Sequence, residues 1–299
     1  MRFFDLIRKN DNYKVIIGIV VGSIIFCWGV YASNVSGSDV SYSNASSGVD
    51  ANEVQTAIDK LYKKAKESDV SAPSSFSTDS WATIAIAAKS SSYPYQDYPY
   101  KVGDTKTVNL GSLGTHTVRI ANLSTCSYSS QTACGFVIEF ADIITNTKMN
   151  STATNVGGWP ASSMRTYLNS TIYNALPKVL QQSIIKTTVV SGHGSSDSSN
   201  FTSTDKIYLL SAQEVWGSNR SIDTSNVTTR QLDYYAGQGI TDSNYSGAIK
   251  QYNGSNSWWH LRSACSYNTI DFVGVTHIGQ VGRSDASYNL GVSPAFRIA

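Results

Sequence analysis

The densest group of chemistry-bearing residues lies near the C-terminus: Tyr267, Asn268, Asp271, His277, Arg283, Asp285, Tyr288 and Asn289, interleaved with Ser and Gly. Tyrosine offers a rigid, amphipathic ring at little entropic cost, and Asn, Ser and Gly offer adaptable hydrogen bonding. The set therefore reads as a recognition surface rather than a catalytic cleft. Two aromatic signatures bracket it, Trp258-Trp259-His260-Leu261-Arg262-Ser263 and Gly291-Val292-Ser293-Pro294-Ala295-Phe296-Arg297-Ile298. Successive strand residues face opposite sides, so one of Trp258 and Trp259 belongs in the core and the other near the surface. Trp259 joins the candidate contact set, because aromatic side chains often anchor interfaces. Arg262 and Arg297 sit beside aromatic residues and are expected to stack or hydrogen-bond structurally.

Catalytic chemistry has little to work with. The four histidines, His116, His193, His260 and His277, are scattered, and neither a His-Glu-x-x-His nor a Gly-x-Ser-x-Gly motif occurs. No Cys-x-x-Cys is present, and Asp197, Asp223, Asp233 and Asp242 stand singly without calcium-loop spacing. No cofactor and no metal are expected. A net charge of +2 makes no electrostatic case for nucleic acid. Charged residues are 15% of the chain, against about 25% in ordinary domains, so the polar surface is built mostly from Ser, Thr, Asn, Gly and Tyr. Of four cysteines, Cys27 lies in an apolar run, Cys126 and Cys134 are close in sequence, and Cys265 stands alone. In an oxidising compartment the middle two close a small loop or are separately buried, and Cys265 stays free.

These residues must be displayed somewhere, and the N-terminus says where. Residues 15–32 carry no charge, and as a helix they span about 27 Å, close to a bilayer's hydrocarbon thickness. Arg2, Arg8, Lys9 and Lys14 outweigh Asp5 and Asp11 before the run, which places the 1–14 flank in the cytoplasm. The chain is thus expected to be a single-pass cell-membrane protein with its C-terminal domain extracellular. A signal peptide cleaved after Ala32 is the competing reading, and it exports the same residues. Residues 33–75 read as a Ser/Asn/Gly-rich spacer, a short helix with Val54, Ala57, Ile58, Leu61 and Ala65 on one stripe, and a linker at Pro73. That helix either self-associates as a stalk or docks on its own domain, since two heptads alone do not hold a coiled coil.

Residues 76–299 form the globular part. Strands are predicted at 81–88, 106–110, 115–121, 135–141, 184–190, 206–210, 258–263, 272–277 and 295–298. A helix behind a Ser162 cap carries Met164, Tyr167, Leu168, Ile172 and Ala175, and Pro177 restarts it with Val179 and Leu180. The 217–257 stretch reads as loop. The pattern predicts an α+β fold.

Tyr100-Lys-Val-Gly-Asp104, Gly135-Phe-Val-Ile-Glu-Phe140, Gly157-Gly-Trp-Pro-Ala-Ser-Ser-Met-Arg-Thr-Tyr-Leu-Asn169, Asp205-Lys-Ile-Tyr-Leu-Leu-Ser211, Trp259-His-Leu-Arg-Ser263 and the Gly291–Ile298 ending occur in order. Together they resemble an uncharacterised bacterial and phage domain-of-unknown-function family over residues 76–299. The segment from Val40 to Tyr62 resembles a stalk motif of phage tail fibres and Gram-positive surface proteins. The domain family is similar to the C-type-lectin-like fold of formylglycine-generating-enzyme-like domains and of diversity-generating-retroelement variable proteins. That resemblance implies a scaffold of Trp258, Trp259, Leu261, Phe272, Val292, Pro294 and Phe296 displaying variable polar residues. Ser293 departs from it, because Arg is expected after Gly-Val. The catalytic relatives use a C-terminal cysteine pair, and this chain has only Cys265 there, which leaves an exposed nucleophilic thiol as a minor reading. The function expected is extracellular ligand binding, by a receptor or adhesin for a protein or glycan. The alternatives are an exported enzyme of the same fold and a structural fibre component. Alanine at the displayed positions is expected to be nearly neutral for stability.

Overall fold

The computed structural model describes residues 72–89, 99–123, 132, 135–217, 222–227 and 230–299, together with Val54 and Thr56. The expected anchor at 15–32, the spacer, most of the stalk helix, Cys126 and Cys134 lie outside the described residues. Val54 and Thr56 are helical. Among the described residues, no helix is long and apolar enough to cross a membrane. The chain divides into two compact units, Met1–Ser68 and Asp69–Ala299. The second holds all of the strands among the described residues and is α+β.

It opens with α1 (Trp81–Lys89), where a short strand bounded by turn residues is predicted. The helix forms because the segment is alanine-rich and Ser80 caps it, its Oγ accepting the Thr83 N–H at 3.0 Å. Trp81, Thr83, Ile84, Ala85 and Ala87 are buried while Ile86 is 46% exposed, so the helix packs on one broad face. Phe76 and Tyr100 meet Trp81 and Phe136 edge to face around it.

Two five-stranded sheets follow. The first runs β1 (Thr105–Asn109), β2 (Thr115–Asn122), β3 (Phe136–Phe140), β14 (Pro294–Ile298) and β7 (Tyr208–Leu209), all antiparallel. The second runs β12 (Val281–Asp285), β11 (Asp271–Val275), β10 (Trp259–Ala264), β13 (Asn289–Val292) and β4 (Thr145–Lys148), with β10 and β13 parallel at Trp259 and Gly291. A two-stranded ribbon pairs β5 (Thr187–Ser191) with β6 (Phe201–Asp205), and a second pairs β8 (Lys250–Tyr252) with β9 (Ser255–Ser257). The chain crosses between these two sheets four times, from β3 to β4, from β4 to β7, from β7 to β10, and finally at Ser293, the single residue between β13 and β14.

The middle helices form as the 3.6-residue period predicts. A turn at Gly158–Ala161 is α2, and α3 (Ser163–Tyr167) continues through a π turn, Leu168–Ile172, into Tyr173–Ala175. Ser162 caps α3 by accepting the Arg165 N–H at 3.1 Å. Met164, Leu168 and Ile172 are buried. Pro177 precedes α4 (Lys178–Ser183), where Leu180 is buried but Val179 is 59% exposed, so Val179 does not share the apolar face assigned to it.

The 217–257 stretch is not the loop predicted. It contains α6 (Asp233–Gly237), a 3-10 turn at Ser246–Ala248, and the β8–β9 hairpin. The hairpin turns on Asn253-Gly254 with φ of 51° and 79°, the left-handed pair that a two-residue turn of this type requires. Before it comes α5 (Ala212–Trp216), also unread, although Ser211 and Glu214 form a full capping box.

Candidate functional site

Strands β11 and β12 carry Asp271, Arg283 and Asp285, and their register sorts the candidate contact set. Asp271 stands opposite Asp285, and Arg283 opposite Val273. The loop between β10 and β11, which holds Tyr267 and Asn268, and the turn between β12 and β13, which holds Tyr288, therefore lie at the same end of the sheet. His277 lies at the other end, in the β11–β12 turn, and the structure does not bring it to the rest. Gly279, at φ 89°, closes that turn against the Tyr245 carbonyl, where a side chain would clash.

Within the common end, two classes of side chain separate. Tyr267 is 59% exposed and Tyr288 63%; Arg283 and Asn289 are exposed as well. Ile270 and Val156 add exposed apolar surface beside them. Of the remaining three, Asn268 and Asp285 hold the backbone, and Asp271 bonds the side chain of Asn268. Asn268 Oδ1 accepts the Ile270 and Asp271 N–H groups at 3.0 and 2.8 Å, and its Nδ2 donates to Asp271 Oδ2 at 2.7 Å. Asp285 Oδ1 accepts from the Ser287 N–H and hydroxyl, both at 2.7 Å. Asp271 is only 15% exposed, and Arg283 Nε lies 3.7 Å from it, a loose contact on a side chain that is 54% exposed. Such an exposed pair contributes at most a few tenths of a kcal/mol to about 1 kcal/mol.

Behind the loops stands a residue that sequence reasoning missed. Asn155 is fully buried and its Nδ2 donates to the carbonyls of Asp271 (2.8 Å), Asn268 (3.0 Å) and Cys265 (3.3 Å). Its own N–H donates to Thr269 O at 2.8 Å, while Ser195 N–H reaches Asn268 O and Ala286 N–H reaches Ile270 O. Asn268 to Asp271, together with Cys265, are thus gripped through their backbone carbonyls. Asn155 carries no motif, and its partners are more than a hundred residues away, so spacing could not reveal it.

The aromatic pair resolves as the alternation predicts, but with the roles reversed from the contact assignment. Trp259 is wholly buried; its Nε1 donates to Ala248 O at 3.1 Å. It is not a surface platform. Trp258 is half-buried and packs over Gly282, whose missing Cβ makes room for the ring. The scaffold residues Leu261, Phe272, Val292, Pro294 and Phe296 are buried. Cys265 is free and fully buried, which removes the exposed-thiol reading. His260 is buried with its ring donating to Thr147 O at 3.0 Å, and desolvation pushes its pKa down to about 4.

The buried charges form separate closed networks. Glu139 accepts from Lys250 Nζ at 2.7 Å, Arg119 Nε at 2.8 Å and the Tyr235 hydroxyl at 2.9 Å. Arg262, predicted to be structural, is wholly buried, pairs with Glu214 and donates to the Leu209 and Val190 carbonyls. Asp205 ties Trp159 Nε1 to Arg165. Asp223 accepts from Ser225 and Ser263. These carboxylates have almost no exposed surface and spend their oxygens on protein donors, which suits fold maintenance. Among the described residues, no group of three or more His, Cys, Asp or Glu is placed to hold a metal ion. Ser293, where Arg was expected, is buried and lies between Lys250 Nζ (2.8 Å) and the Phe140 carbonyl (2.9 Å).

No curated protein and no solved structure gives a match to this chain. The matched family model begins at β3 and runs to the last residue, so it takes in all four sheet changes, the helices between them and the whole loop surface. On that match, over residues 136–299, the chain belongs to the DUF6273 family, described as a domain of unknown function.

Proposed function

We propose that the chain is a single-pass membrane protein whose residues 76–299 stand outside the cell as a C-type-lectin-like receptor or adhesin domain, binding a protein or glycan through the loops around Tyr267 and Tyr288. The observation that supports this is the pairing of outward aromatic side chains with a backbone gripped by Asn155. A loop already ordered loses little entropy on binding, and exposed tyrosines bring large contact area with few rotatable bonds. Because the gripping runs through backbone atoms, the side chains of Thr269 and Ile270 can differ without loss of the loop. That tolerance suits a diversified surface on a fixed scaffold. The uncharged run at 15–32 with its basic flank supports the anchored, outward topology.

The test is a glycan and protein array probed with the purified protein and with a Tyr267→Ala/Tyr288→Ala variant. Binding that the variant loses while its melting temperature stays put supports the reading, and binding equal in both proteins refutes it. External protease on intact cells should remove the C-terminal domain; protection of that domain would overturn the topology. A near-identical template repeat and a reverse-transcriptase gene beside the coding sequence would favour diversification.

A further inference from the structure

A depression of about 330 Å³ opens between the β1–β2 turn, the β3–β4 crossover and the β8–β9 hairpin, at the end of the β4–β13 pair away from Asn289. Its size falls at the small end of the range for ligand sites. The crossover and the hairpin are held together by a backbone contact, Ile143 N–H to Gln251 O at 3.0 Å, and by Gln251 N–H donating to the Asp142 side chain at Oδ1, 2.9 Å away. The cleft is therefore built between elements tied to one another, rather than left between independent loops.

The polar groups on its wall are mostly acceptors. Asp142 spends one carboxylate oxygen on Gln251 N–H, and no described residue donates to the other. His116 donates through Nε2 to Leu113 O at 2.7 Å, so in the neutral ring Nδ1 is left as an acceptor. Asn253, held in the turn at φ 51°, contributes an exposed amide, and Tyr252 a half-buried ring. Asp142 is the single formally charged residue among the described lining residues, so an anion would meet repulsion with nothing to offset it. Most of the wall is polar, so an apolar ligand would strand these groups. A small neutral molecule rich in hydroxyl donors and carrying one apolar face satisfies them all.

We propose that this depression is a second, independent binding site for a neutral sugar unit, with Asp142, His116 and Asn253 bonding its hydroxyls and Tyr252 meeting a ring face. The experiment uses the full-length protein and saturation-transfer NMR with the methyl glycosides of glucose, galactose, mannose and N-acetylglucosamine at millimolar concentration. At least one glycoside should receive saturation. Asp142→Asn keeps the Oδ1 bond to Gln251 but removes the charge, and Asn253→Gly removes the amide while keeping the turn. Each should weaken binding roughly tenfold, the loss of about one good hydrogen bond. Tyr267→Ala/Tyr288→Ala should leave it unchanged, which separates this site from the proposed loop surface. No transfer to any glycoside, or transfer indifferent to both cleft variants, overturns the proposal. So does transfer abolished by the tyrosine variant, or Asp142-dependent binding of a choline probe without glycoside binding.

Discussion

The ammonium of Lys250 donates to Glu139 at 2.7 Å where neither side chain has any exposed surface. The same ammonium donates to Phe140 O at 2.6 Å and Ser293 Oγ at 2.8 Å, and lies 4.7 Å from the Trp259 ring. It thus joins the end of β3, from which the chain leaves for the second sheet, to Ser293, where the chain comes back. Burial brings the Lys250 pKa down to about 8 against the attraction of Glu139. Burial pushes Glu139 upward, but Arg119 and Lys250 outweigh it and hold that carboxyl below its usual range.

Removing one member of this cluster leaves a buried charge short of a partner. Lys250→Met and Glu139→Gln should each cost about 3–5 kcal/mol of stability. Urea titration measures this directly, and a loss below about 1 kcal/mol in either variant would show that water reaches the cluster.

Acid should destabilise the fold through His260. Its folded pKa, about 4, lies below its ordinary value of 6.5, so between those pH values the unfolded chain binds a proton that the folded one does not. Stability then falls as pH drops through that window, by at most about 1.4 kcal/mol per pH unit. His260→Gln should flatten the dependence of the urea midpoint on pH between 6.5 and 4.5, and an unchanged slope would assign the effect elsewhere.

The loop surface should split under alanine substitution, against the uniform tolerance first expected of it. Tyr267→Ala, Tyr288→Ala and Asn289→Ala should stay within about 0.5 kcal/mol of the parent. Asn155→Ala should cost roughly 1–3 kcal/mol, because three carbonyls lose one donor group, and Asn268→Ala should follow it. Thermal melts of the five variants decide the matter, and overlap of the two groups would remove the distinction between display and support.

Cys265 should be silent until the domain opens. A buried thiol does not meet reagent, so a thiol-reactive dye should label it only at the rate of unfolding, and quickly in denaturant. Fast labelling in native buffer would place it at the surface. Peptide mapping without reductant reports on Cys126 and Cys134 in the same sample.

Legibility followed local regularity. The β1–β2 hairpin, β3, β10 and β14 were readable because each carries several apolar or β-branched residues between turn signals, and α3 because Met164, Leu168 and Ile172 return at helical spacing. Strands β6 and β12 were not: Phe201-Thr-Ser-Thr-Asp205 and Val281-Gly-Arg-Ser-Asp285 are polar and become strands by pairing with β5 and β11. The α1 segment misled because it is a short apolar run between turn residues, while its alanine content and the Ser80 cap favour a helix.

By itself the sequence determined which residues are suited to recognition and that their neighbours are aromatic and apolar, since side-chain chemistry is local. Only the tertiary structure decided which of them support and which display. Trp259 went into the core, while Asn268 and Asp285 turned inward to hold backbone N–H groups. His277 went to the opposite end of its hairpin, and Asn155 came more than a hundred residues along the chain to grip the loop. Pairing register and long-range hydrogen bonds set those outcomes, and neither leaves a periodic trace in the chain.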